Sequence, residues 1–245
     1  LWQVDSLDFI QALTKFMRSK SIFIADGHHR YEVAYYYKKL MSKKRAVNAD
    51  YVMMYFCNLA SGGLKILPTH RVIRNIPKAE LAALPLILQR YFTISPVSSQ
   101  GELFSRLTQP PRGASQHLFG LYLKAKGFHL LKLKQKKILN GDIRYNSLDV
   151  VILHKLILDK LLGIKEEKAG AQNILYTRDE QEAMRLVHSR KYDCAFFLNP
   201  PGPHQVSAIA GRSLRKMPHK STYFYPKPLS GLVINKLEVR VNAAF

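Results

Sequence analysis

Cysteine is nearly absent from this chain. Cys57 and Cys194 are its two thiols in 245 residues, each set inside an apolar run. Two cysteines cannot build a disulfide-stapled scaffold, and both are expected to be buried thiols in a reducing compartment. Long apolar stretches are missing as well. No run approaches the ~20 residues that cross a bilayer, and no leader with a basic start, an apolar middle and a small-residue cleavage site is present. The expectation is a cytoplasmic protein without a membrane partner. The sequence starts at Leu1, just before a helix that Asp5 or Ser6 would cap, so a preceding N-terminal piece is expected.

Acidic residues are the scarce charge, with 17 Asp and Glu against 38 Lys and Arg and a formal net charge of +21. Such an excess attracts polyanions, either nucleic acid or phosphorylated small molecules. The basic residues are dispersed, as Lys38-Lys39, Lys43-Lys44-Arg45, alternating lysines over 132–137, and a run over 212–220. Dispersion favours a solvated basic surface over a nucleic-acid groove, so nucleic acid ranks second as a partner to a small phosphorylated ligand. The 47% hydrophobic content excludes a disordered chain and supplies a core for one large or two smaller domains.

Several catalytic signatures are missing too. There is no Gly-x-Ser-x-Gly elbow, no Cys-x-x-Cys, no His-Glu-x-x-His and no dinucleotide glycine fingerprint. Lys220-Ser221-Thr222 invites comparison with a P-loop, but Leu214 and His219 stand where that motif needs glycine. What remains is a hydroxyl-rich, lysine-flanked stretch beside Tyr223, Phe224 and Tyr225, which reads either as an anion-binding loop or as an aromatic strand entering a core.

Periodicity predicts helices over 6–18, 29–43, 78–89, 99–107, 147–162, 179–188 and 203–210. Strands are expected over 21–25, 51–58, 64–67, 91–95, 117–125, 128–133, 173–176, 194–199 and 231–234, with Lys126-Gly127 as a hairpin turn. Helices and strands interleave while hairpins are present, so the fold class is α/β (α+β) with a mixed β-sheet. The proline-rich stretch 109–115 is the candidate linker. It separates an N-terminal region, 1–108, from a C-terminal α/β region, 116–245, that contributes the Lys-Ser-Thr-Tyr loop.

The densest chemistry is in Asp26-Gly27-His28-His29-Arg30, where an apolar run ends in a turn and a helix begins. Free backbone N–H groups and the positive end of the dipole favour anions at such a start. Gly27 permits a backbone angle and a close ligand approach that a side chain would oppose. Arg30 offers a planar fork for phosphate or carboxylate. His28 and His29 point about 100° apart on a helix and cannot share one metal in the usual i, i+4 way. Asp26 reads as a helix cap, as a proton acceptor, or as a ligand for Mg²⁺. A second basic set, Leu67-Pro68-Thr69-His70-Arg71, follows a turn at 61–63. His154 lies among leucines and reads as a satisfied core or cleft histidine. Asn199, at a strand end before Pro200-Pro201, reads as a crevice residue.

Four stretches occur in a fixed order: Ile24 to Tyr31, Leu67 to Arg71, Phe197-Leu198-Asn199-Pro200, and Met217 to Lys227. Together they resemble the family catalogued as domain of unknown function 1015. The Asp-Gly-His-His-Arg motif is also similar to one of the ParB/sulfiredoxin-like superfamily, where it sits at a strand–helix junction and binds phosphate. One branch of that superfamily comprises free-serine kinases. The resemblance implies a small-molecule phosphotransferase that phosphorylates free L-serine, with pyrophosphate or a nucleotide as donor and Mg²⁺ as cofactor. It implies that Gly27, His28, His29 and Arg30 bind phosphate, with Lys220, Ser221 and Thr222 closing from the other side. Asp26 and His29 are then the expected catalytic residues, Asp26 also a possible Mg²⁺ ligand, and Thr69, His70, Arg71, Asn199 and Tyr223 the expected cleft residues. In the serine-kinase relatives a glutamate upstream of the motif serves as base. None precedes Asp26 here, and a chain without it is expected to be inactive. The alternatives are a ParB-like nucleic-acid binder or nuclease, and a non-catalytic phosphometabolite-binding protein.

Overall fold

The computed structural model describes residues 2–41, 49–58, 64–108, 116–135, 139–165, 172–212, 217–218 and 220–237. The chain divides into two units, Leu1–Met54 with Val233–Phe245, and Tyr55–Leu232. The expected linker 109–115, the turn at 61–63, the basic cluster 43–45 and His219 lie outside the described residues.

Among its described residues the first unit carries two helices, α1 (Leu7–Met17) and α2 (His28–Met41). Ser6 starts α1 by accepting a hydrogen bond from the Phe9 N–H at 3.5 Å, a cap worth about 1 kcal/mol over alanine. Residues 21–25, expected as a strand, form none, and Ile22 is exposed. Residues 51–58 and 231–234 likewise stay outside any ladder. An alternating apolar run becomes a strand only where a neighbour satisfies its backbone groups, and no such neighbour pairs with these runs among the described residues. Cys57 is exposed as a result, whereas Cys194 is buried as expected, and neither forms a disulfide.

The second unit is α+β, built on a six-stranded sheet. Its strands are β2 (His70–Ile73), β3 (Phe92–Val97), β4 (Leu118–Leu123), β5 (Gly127–Leu133), β6 (Ile174–Thr177) and β7 (Cys194–Leu198). Their order is β3-β5-β4-β7-β2-β6, and every pairing is antiparallel. Strands from both sides of 109–115 therefore share one sheet. A separate ribbon pairs β1 (Lys65–Leu67) with β8 (Tyr223–Tyr225).

Both faces of the sheet are covered, so its central strands read as continuous apolar runs. Period-two alternation sorts them. Cys194, Phe196 and Leu198 of β7 join Phe119, Leu121 and Leu131 on one face. That face is covered by Leu84 and Leu88 of α3 (Lys78–Gln89) and by the buried helix following residue 148. Ala195 and Phe197 point the other way, against Leu103 and Leu107 of α4 (Gln100–Thr108) and Ala183 and Val187 of α7 (Glu180–His188). A short α5 (Ile143–Asn146) precedes α6 (Asp149–Ile152), which runs on into a π-helical segment, Leu153–Leu161. The last helix among the described residues is α8 (Pro203–Arg212).

Candidate functional site

The ribbon explains why two motifs 150 residues apart meet in the second unit. Leu67 pairs with Tyr223 in antiparallel register, so the chain leaving β1 through Pro68 and Thr69 runs beside the chain entering β8 through Ser221 and Thr222. Two compartments form there and share Thr69. The smaller is lined by Arg71, Asp149, Asn199, Gln205 and Ser221 together with Leu148 and Leu198. The larger, of about 350 Å³, is lined by Tyr176, Thr177, Arg178, Glu182, Lys220, Thr222 and Tyr223. Successive side chains alternate between them: Lys220 and Thr222 face the larger, Ser221 the smaller.

Arg71 anchors the junction. It is 1% exposed, and a guanidinium so deep needs its donors engaged. Its Nε donates to His154 Nε2 at 3.1 Å, one terminal nitrogen donates to the Thr69 carbonyl, and the other donates to the Lys220 carbonyl at 3.2 Å. His154 sits on the π-helical segment, where the widened turn re-aims a side chain, and it accepts this bond as a neutral ring. Arg71 thereby ties β2 to the loop before β8. The cations of the larger cleft rest on aromatic faces, Lys220 on Tyr176 at 4.2 Å and Arg178 on Tyr223 at 3.7 Å. Lys220 holds a left-handed backbone, φ 51°, an uncommon conformation for a residue with a side chain.

His117 and Asp149 form a pair beside the smaller compartment, with Nδ1 and Oδ1 2.7 Å apart. Burial raises the Asp149 carboxyl above its ordinary pKa, while the hydrogen bond from His117 works against that rise. Ser221 Oγ is buried in the same compartment with no hydrogen-bond partner.

In the first unit, Asp26 and Arg30 form an i, i+4 pair at 3.3 Å, both exposed. Gly27 has φ +82°, and a Cβ there would lie 2.9 Å from the Arg30 guanidinium, so glycine fits both the turn and the arginine folded over it. His28 and His29 open α2. No group of three or more His, Cys, Asp or Glu gathers as a metal cage among the described residues. Asp26 offers a single carboxylate, which suits the sparse protein ligation of Mg²⁺ carried by phosphates.

The structure thus gathers Thr69, Arg71, Asn199, Lys220, Ser221, Thr222 and Tyr223 around one pair of compartments, and keeps Asp26, Gly27, His28, His29 and Arg30 in the other unit. His70 lines neither compartment. Strand alternation turns it away from Arg71, between the rings of Phe104 and Phe197. Asn199 lines the smaller compartment while its amide donates to the Leu107 carbonyl at 2.8 Å. Sequence reasoning misses Asp149, His117, Arg178 and Gln205. No spacing rule relates a histidine to an aspartate 32 positions on.

The family model described as protein of unknown function (DUF1015) matches residues 1–151. The chain belongs to that family. No curated protein matches it. Among solved structures it is similar to a conserved hypothetical protein from Pyrococcus furiosus, at 12% identity over 89% of this chain and 81% of that one, with a TM-score of 0.42. It is also similar to a free serine kinase in complex with AMP, at 13% identity over 91% and 81% with a TM-score of 0.41. A mutant free serine kinase in complex with ADP gives 13% identity over 89% and 78%, with a TM-score of 0.44. In this DUF1015 chain the matched stretch carries the 26–30 and 67–71 clusters together with His117 and Asp149, while Asn199 and Lys220 to Tyr225 lie beyond it.

Proposed function

We propose that the protein is a phosphotransferase, moving a phosphoryl group from pyrophosphate or a nucleotide to the hydroxyl of a small amino acid, free L-serine. The observation that carries this reading is the pair of compartments sharing Thr69, one cationic and roomy, the other small and polar. Phosphoryl transfer asks a protein mainly for charge neutralisation and in-line positioning. Lys220 and Arg178, with the hydroxyls of Thr69, Thr177 and Thr222, supply the first to a donor in the larger cleft. Arg71, Asn199 and Gln205 give the adjoining smaller compartment, of about 20 Å³, polar groups of both kinds for the polar end of a ligand. By itself, the start of α2 in the first unit, with Gly27, His28, His29 and Arg30, is a separate phosphate-binding set. Within the first unit, Asp26 is the carboxylate that would hold Mg²⁺ beside a phosphate at the start of α2.

The test is incubation with L-serine, Mg²⁺ and pyrophosphate, ATP or ADP in turn, followed by ³¹P NMR. O-phosphoserine is expected with at least one donor, and no product with L-alanine, which lacks the hydroxyl. Absence of any phosphorylated hydroxy amino acid with all three donors overturns the reading. Lys220→Ala is expected to raise the donor KM on the order of ten- to a hundred-fold, since a charged hydrogen bond is worth about 1.5–3 kcal/mol. An unchanged KM would remove Lys220 from the donor site.

A further inference from the structure

The larger cleft carries one group that a phosphate donor alone does not explain. Glu182, half-buried in the first turn of α7, is the carboxylate of its lining, in the company of Lys220 and Arg178. A purely anionic ligand in this cleft meets repulsion from it. We infer that Glu182 receives the ammonium group of an amino-acid ligand. The cleft then selects an α-amino acid and its phosphate ester over the same compounds without the amino group; this rests on the phosphotransferase reading above.

Three observations carry the inference. The helix does not need this side chain as a cap, because Asp179 Oδ1 already accepts from the N–H groups of Gln181 and Glu182, at 2.8 and 3.1 Å. The carboxylate is held at one oxygen. Thr177 Oγ accepts from the Asp179 N–H at 3.1 Å, so its own proton goes to Glu182 Oε2. That neutral donor orients the group and leaves Oε1 for a ligand. Among the described residues, moreover, no ion pair joins Glu182 to Lys220 or Arg178; those two rest on Tyr176 and Tyr223. The cleft therefore presents two cations and one carboxylate that do not neutralise one another. O-Phosphoserine, the product of the proposed reaction, carries the complement: a phosphate, a carboxylate and one ammonium. A site built around such a donor rejects an analogue that lacks it, because the carboxylate is then left without its partner.

The experiment is calorimetric titration of O-phospho-L-serine, and of the same ester without its amino group (phosphorylated hydroxypropionate), in the presence of EDTA. Wild type, Glu182→Gln and Glu182→Asp are compared by the ratio of the two affinities, which removes effects common to both ligands. Glu182→Gln keeps the volume and still accepts from Thr177, but the charge is gone. Its preference for phosphoserine is expected to fall about ten-fold, the lower end for a hydrogen bond to a charged group because Glu182 is half-buried. Glu182→Asp draws the charge back by one methylene and is expected to lose several-fold. A preference within about two-fold of wild type in Glu182→Gln, the scatter of independent effects, overturns the inference. The same result in Glu182→Asp overturns it where Glu182→Gln does not fold. A wild type that binds neither ester overturns it too. The two readings fail separately. If the preference depends on Glu182 but wild type forms no phosphoserine with any donor, the amino-acid site stands and the phosphotransferase fails. If wild type forms phosphoserine and the preference ignores Glu182, the phosphotransferase stands and the ammonium site fails.

Discussion

His70 and Arg71 are neighbours in sequence and opposites in environment, because a strand sends successive side chains to opposite faces. Arg71 reaches the compartments, while His70 enters the core beside Phe197. The Leu198 N–H donates to His70 Nδ1 at 3.4 Å, which leaves the ring proton on Nε2, 3.9 Å from Glu180. That separation is too long to offset burial, so desolvation first, and the Arg71 charge second, lower the His70 pKa to about 4. The sign follows from proton binding. Between pH 6.5 and 4 the unfolded chain takes up a proton that folded His70 refuses, so stability falls as pH falls through that window. The loss is about 3 kcal/mol. Glu180, whose own carboxyl is raised by burial, acts in the opposite sense and is present in both proteins of the comparison. Denaturation of wild type and His70→Gln at pH 7.5 and 4.5 is expected to show wild type losing about 2–3 kcal/mol more than the variant. Parallel pH dependence in the two proteins would overturn this account.

At the scale of elements, Gly120 shows how closely β4 is packed. An added Cβ would sit 2.9 Å from Leu103 Cδ2 on α4 and 3.1 Å from Phe197 Cβ on β7. A glycine inside a strand ordinarily gains stability on conversion to alanine through reduced chain entropy, but here the clash decides. The leucine tip can turn aside, whereas the Phe197 Cβ is fixed in a central strand. Gly120→Ala is expected to cost about 1–3 kcal/mol and to lower the calorimetric midpoint; a midpoint at or above wild type would show that the sheet yields locally. The same elements show what was legible beforehand. Residues 78–89 read as a helix with its observed bounds, because the apolar repeat and the preceding proline are local signals. Residues 21–25 and 51–58 carry strand composition and form no strand, since pairing depends on a distant neighbour that no local pattern reveals. β2 is hidden for the converse reason: His70 and Arg71 look like site residues, and their burial is tertiary. Residues 147–162 read as one helix, but the π-helical widening that carries His154 toward Arg71 has no sequence mark. The basic motifs were legible by residue type, and the ribbon that brings Leu67 to Arg71 beside Lys220 to Tyr225 was not.

The whole molecule carries a net charge of +21, and that number alone fits a nucleic-acid binder as well as a phosphate enzyme. Salt separates them. A protein neutralising 6–10 backbone phosphates of duplex DNA loses about 10³–10⁵ in affinity between 50 and 200 mM salt, because condensed counterions are released. A small donor carries no such atmosphere, so at Lys220 and Arg178, the exposed cations proposed to hold it on tyrosine faces, it feels ordinary ionic screening without counterion release. Pyrophosphate affinity is therefore expected to fall on the order of ten-fold or less over the same salt range, and duplex DNA binding to collapse. Arg30, whose side chain is 75% exposed at the start of α2, serves as the contrast. Arg30→Ala is expected to weaken pyrophosphate binding at the start of α2 at least several-fold and to leave the melting temperature unchanged, since the side chain covers no core. Calorimetric titrations at both salt concentrations decide the matter. DNA affinity that survives 200 mM salt and discriminates between sequences, beside pyrophosphate affinity indifferent to Arg30, would favour the nucleic-acid reading over the phosphotransferase.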